Sequence, residues 1–156
     1  MDLTQLYRDL VLEHNRNPRH QGMPPHVTHR AVGDNPLCGD RLELGAQVEA
    51  GRVVALGYEI DASALTLATT SLLCQEVLGK SLPDAHTLLD HALDLFTRNP
   101  ERQPFASLHG LNALLPVLDH PNRIKTVTLP IVTLKAALHG QTEVSTDLDQ
   151  RGEVSK

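Results

Sequence analysis

The chain has 156 residues, with 14 Lys and Arg against 19 Asp and Glu, a net charge of −5 with histidine neutral. That length suits one domain able to bury roughly 70% of its unfolded surface without disulfide or metal staples, and the acidic balance, with no cationic stripe, argues against dedicated nucleic-acid binding. Apolar runs such as 53–56, 114–118 (broken by Pro116) and 136–138 fall far short of the roughly 18 residues of a membrane span.

Residues 3–16 place Leu3, Leu6, Tyr7, Leu10 and Val11 on one helical face. Asn17-Pro18-Arg19 ends that helix, because the residue before proline is pushed out of the α region. A polar loop, His20 to Pro25, leads to a strand at Val27 to Val32. From Arg41 the period changes to two: Leu42, Leu44, Ala46 and Val48 alternate with polar residues. Val54, Leu56, Tyr58 and Ile60 do the same after Ala50-Gly51, so 41–60 is expected to be an antiparallel hairpin.

Helical periods then return at Ser63 to Leu78, Pro83 to Phe96, Phe105 to Leu118 and Thr126 to Leu138. Pro130 is tolerable in the last of these if it lies in the first turn. Residues 141–156 are polar and aperiodic and are expected to be a flexible tail after a single domain at 1–140. The order predicts an α+β fold: an amino-terminal helix, a three-stranded antiparallel sheet, and about four helices on one side of it.

Cys38 and Cys74 are the two cysteines, with no CxxC, and alone they make a poor soft-metal cage. Met1-Asp2-Leu3-Thr4 lacks a basic segment followed by an apolar one, so a cytoplasmic, reducing setting is expected. The distinctive segment is Gly33 to Asp40, where turn formers surround a thiol and a carboxylate two residues apart. The pair His26 and His29 would point to opposite faces of a strand, which disfavours a shared ion.

Asn35-Pro-Leu-Cys-Gly-Asp40 resembles the first metal-ligand motif of the U-type iron–sulfur assembly scaffolds, the family of SufU, IscU and the amino-terminal domain of NifU. Leu6-Tyr-Arg-Asp-Leu10, Glu13-His14, Asn17-Pro-Arg19, Gly79-Lys-Ser81 and Arg123-Ile-Lys125 extend the resemblance over residues 3–138, closest to the SufU branch. The resemblance implies a scaffold on which three cysteines and an aspartate bind zinc or a nascent [2Fe–2S] cluster and receive persulfide sulfur from a PLP-dependent cysteine desulfurase. Cys38 and Asp40 match the first cysteine and the aspartate. Ser63 and Thr126 stand where the other two cysteines are expected.

A neutral hydroxyl is a weak ligand for zinc or iron, so the family's metal site is expected to be degenerate, with Cys38 and Asp40 as residual ligands. Asp40 is alternatively a turn carboxylate, and Ser63 and Thr126 are expected to be helix caps. Cys74, roughly 16 Å from Ser63 at the helical rise, is expected to be a buried small hydrophobe.

Cys38 is the candidate persulfide acceptor, which would make the chain at most a sulfurtransferase-like accessory protein. Arg123 and Lys125 are candidate cations for docking a cysteine desulfurase or another assembly protein, or are solvated. A homodimer could pool two copies of Cys38 and Asp40 into a four-ligand site. The reading of another class is a non-catalytic interaction module that kept the scaffold fold and lost its chemistry.

Overall fold

The computed structural model describes residues 2–146. The elements run α1 (Leu3–Arg16), β1 (His29–Asn35), β2 (Asp40–Glu49), β3 (Arg52–Asp61), α2 (Ala64–Val77), α3 (Leu82–Thr97), a 3-10 segment (Gly110–Asp119), a 3-10 turn (Pro121–Arg123), α4 (Ile124–Leu138) and β4 (Glu143–Ser145). This is the α+β architecture expected, with the helices on one face of a sheet ordered β3-β2-β1-β4.

Four differences from the sequence reading have identifiable physical causes. The stretch after residue 140, expected as a flexible tail, contributes β4, which pairs parallel to β1 at Val32 to Asp34 and makes the sheet four-stranded. The rest of that stretch, 147–156, lies outside the described residues. The hairpin forms, but Gln47 pairs with Ala55 and Val48 with Val53, which leaves Val54 as the extra residue of a bulge. The side-chain alternation slips there, so Val53 is buried and Val54 is 42% exposed.

The helix expected at Phe105 to Leu118 is instead an irregular segment followed by the 3-10 run. Pro116 removes the N–H an α-helix would donate there, and the Asn112 side chain holds Phe105 through its backbone N–H (2.9 Å) and C=O (2.9 Å). Three α-helices, rather than four, therefore follow the sheet among the described residues. The last of them, α4, begins at Ile124, which puts Pro130 in the second turn rather than the first and deprives the Thr126 carbonyl of its usual i+4 donor.

The core lies between the sheet and α2 and α4, with Leu42, Leu44, Tyr58, Leu73, Leu129 and Leu134 fully enclosed. Both helices are buried on nearly every side, which is why their apolar residues show no single stripe. Close seating of α4 on β1 requires Gly33, because a Cβ there would collide with Thr133 Oγ1.

Candidate functional site

The β1–β2 hairpin closes with Asn35 opposite Asp40. Between them the backbone N–H groups of Cys38 and Gly39 both donate to the Asn35 carbonyl, at 3.1 and 2.9 Å. Gly39 adopts φ +75°, a left-handed conformation that an L side chain rarely takes, and this tightens the loop. The result holds Cys38 and Leu37 outward: the thiol is exposed and Leu37 is 76% exposed.

Asp40 turns the other way and is only 5% exposed. Its Oδ1 accepts from the Ser63 backbone N–H (3.1 Å) and its Oδ2 from the Thr66 hydroxyl (3.1 Å). Ser63 is the N-cap of α2, its Oγ accepting from the Thr66 N–H (3.3 Å) and lying 3.0 Å from Thr66 Oγ1. A carboxylate and a hydroxyl thus share the orphan donors at the positive end of α2. Asp40 is a capping carboxylate as the sequence suggested, but the group it caps lies 23 residues away rather than in its own turn.

Thr126 departs from expectation. It lies inside the first turn of α4, whose N-cap is Arg123 and has no side-chain capping bond, so Thr126 is not a cap. Its side chain is nearly buried, with the residue 7% exposed. Arg123 is exposed and Lys125 half-buried beside it. Cys74 is fully buried in the core, and burial pushes its thiol up to about 12.

Two site residues escaped the sequence reading. Thr66 carried a readable signal, a hydroxyl three residues after a capping serine. Asn35 is 1% exposed, and its side-chain Nδ2 and Oδ1 have no hydrogen-bond partner among the described residues.

The other motifs of the resemblance carry structure. His14 Nδ1 lies 2.6 Å from Ser71 Oγ in a buried hydrogen bond, and the same oxygen accepts from the Arg19 N–H at 2.9 Å. Tyr58 donates to the Arg19 carbonyl at 2.6 Å, and Glu13 pairs with the Arg19 guanidinium at 2.9 Å. Ser81 caps α3.

As a donor set the site falls short of the four thiolate, imidazole or carboxylate ligands that zinc or an iron–sulfur centre takes. It offers one exposed thiol, one carboxylate with both oxygens already accepting, and two hydroxyls. Among the described residues no group of three or more His, Cys, Asp or Glu side chains is placed to hold a metal ion. No helix of the described residues is long and apolar enough to cross a membrane.

The arrangement of a helix, a small sheet and a helical layer recurs in solved structures. A crystal structure of a hypothetical protein, 26% identical, superposes with a TM-score of 0.77 over 87% of this chain and 98% of that one. The fold is shared as well by the putative SUF-system scaffold of Fervidobacterium islandicum, 21% identical, with a TM-score of 0.76 over 86% of this chain and 97% of that one.

Among curated relatives, the zinc-dependent sulfurtransferase SufU of Bacillus subtilis is 29% identical over 130 residues, 82% of this chain and 86% of its own. The scaffold protein IscU of Streptococcus pyogenes is 27% identical over 136 residues, 87% of this chain and 84% of its own. The NifU-like N terminal domain model matches residues 6–125, and the chain belongs to that family of iron–sulfur cluster assembly scaffolds.

Proposed function

We propose that this chain serves cytoplasmic iron–sulfur cluster assembly as a sulfur acceptor, taking persulfide sulfur on Cys38 from a cysteine desulfurase without building a stable cluster on its own. The observation that carries this reading is the division of the hairpin loop: the Cys38 thiol faces solvent, while Asp40 is committed to the start of α2. Sulfur transfer needs only one accessible thiolate. Cys38 attacks the outer sulfur of the desulfurase persulfide, the new S–S bond forms as the old one breaks, and the desulfurase thiolate leaves.

Zinc or a [2Fe–2S] unit would find Cys38 and Asp40 as residual ligands, with Ser63 and Thr126 in the places of thiolates. Exposed Arg123, with Lys125, supplies positive charge for an acidic partner surface.

The test is mass spectrometry of the full chain after incubation with a PLP-dependent cysteine desulfurase and cysteine. A persulfide on Cys38, absent from Cys38→Ser and never on Cys74, is the expected result. Sulfur transfer that persists in Cys38→Ser overturns the acceptor role and leaves a non-catalytic interaction module. A stoichiometric [2Fe–2S] chromophore on the monomer overturns the absence of independent cluster assembly. Metal content that rises with dimer fraction would instead place the ligands across a homodimer.

A further inference from the structure

Where α3 packs on α4, the two helices bring together four titratable or charged side chains. His86 and Asp90 lie one turn apart on α3, and Lys135 precedes His139, the C-cap of α4, by one turn. The two imidazoles are stacked, with ring centroids 4.2 Å apart and planes 29° from parallel. Asp90 is engaged with the Lys135 ammonium at 2.6 Å. The His86 Nδ1 is buried and has no hydrogen-bond partner among the described residues.

This geometry suits neutral rings. An imidazolium carries N–H on both nitrogens, so a charged His86 would hold a buried donor with no acceptor while facing a second imidazole and a lysine. Burial, then His139 and Lys135, lower its proton affinity, and Asp90 alone opposes them. The 3-10 segment and β3 also pack on α3 but contribute no charge to this balance among the described residues. Two imidazolium rings in this stack would also repel each other, so the geometry disfavours protonating both.

The position gives the pair something to control. Gly140 follows His139 directly, and β4 begins three residues later with three residues of its own. It is tied to β1 by Val32 N–H to the Thr142 carbonyl (2.8 Å) and Thr146 N–H to the Asp34 carbonyl (3.1 Å). Asp34 and Asn35 lead into the Cys38 loop. Val144 of β4 packs against Ala31, Ala136 and Ala137, which seats the edge strand on the end of α4.

We propose that His86 and His139 form an acid-sensitive latch that, when neutral, holds the end of α4 on α3 and keeps β4 paired at the sheet edge, and that opens when both rings are protonated. The latch stands independently of sulfur transfer.

Its test is amide hydrogen exchange of the full chain, with the histidine ring protons followed by NMR. Between about pH 7.5 and about pH 5.5, protection of the Val32 and Thr146 amides should fall about tenfold relative to the β2–β3 ladder. His86→Phe, which keeps a ring against His139 but takes no proton, should abolish that fall. An unchanged wild-type ratio, or an equal fall in His86→Phe, overturns the latch. Should that variant fail to fold, the wild-type rings decide: His86 titrating at or above about 6.5 overturns it, and a lower value with β4 opening supports it.

Discussion

The starts of α2 and α4 each carry a hydroxyl residue, Ser63 and Thr126, yet they are built differently. At α2, Ser63 has extended backbone (φ −66°, ψ 163°), which turns its Oγ back onto the Thr66 N–H, and Asp40 closes the same end from β2. At α4 the capping position is Arg123, with near-helical backbone (φ −96°, ψ −7°). The 3-10 turn before it takes up donors instead, Ile124 N–H bonding to Pro121 O and Arg123 N–H to His120 O at 2.8 Å. Thr126, a turn inside, makes no side-chain hydrogen bond among the described residues. A hydroxyl near a helix start acquires a capping role only where the backbone points it at an orphan N–H.

Restoring thiolates at both helix starts should have the largest effect: Ser63→Cys with Thr126→Cys should raise zinc affinity by several orders of magnitude, read by chelator competition. An affinity equal to that of the unaltered chain would show that the two starts do not converge on one ion. Next in size, Asp40→Ala should lower unfolding free energy by about 2–3 kcal/mol in urea, because it strands a buried hydroxyl and an N–H.

Ser63→Ala should cost about 1 kcal/mol by the same measurement, the usual worth of an N-cap, and its cost should change once Asp40 is gone because both residues bond to Thr66. Thr126→Val should stay within about 0.5 kcal/mol. A Thr126 cost equal to that of Ser63 would break the contrast.

Acid reaches α2 further along, at Ser71. Burial first, and Arg19 second, hold His14 below its ordinary value of 6.5, while Glu13 opposes them. The unfolded chain therefore binds the proton more tightly, so this contribution is complete above about pH 6.5 and is lost as pH falls through the lower folded value. His14→Gln should remove that share of the acid limb in denaturation midpoints measured across pH, whereas Ser63→Ala, which removes no titrating group, should leave the pH slope unchanged.

Much of the fold was legible because its signals are local. Residues 3–16 and 83–96 show a helical stripe, and 41–60 alternates around a Gly-containing turn. The misreadings arose where a distant partner overrides local pattern. Asn112 holds Phe105 out of a helix, the bulge at Val54 reverses which valine enters the core, and Glu143–Ser145 becomes a strand by borrowing the free edge of β1. At the site, Cys38 at a loop tip and Ser63 as a cap could be anticipated from turn and capping chemistry. The Asp40 bond to Thr66 spans 26 residues and could not.

The amino-acid sequence by itself determined the α+β order and the family resemblance, since each is a matter of residue type and spacing along the chain. Tertiary structure decided what Asp40, Ser63 and Thr126 do. Whether a hydroxyl caps a helix, and whether a carboxylate is available to an ion, depends on backbone angles and on donors brought from distant segments.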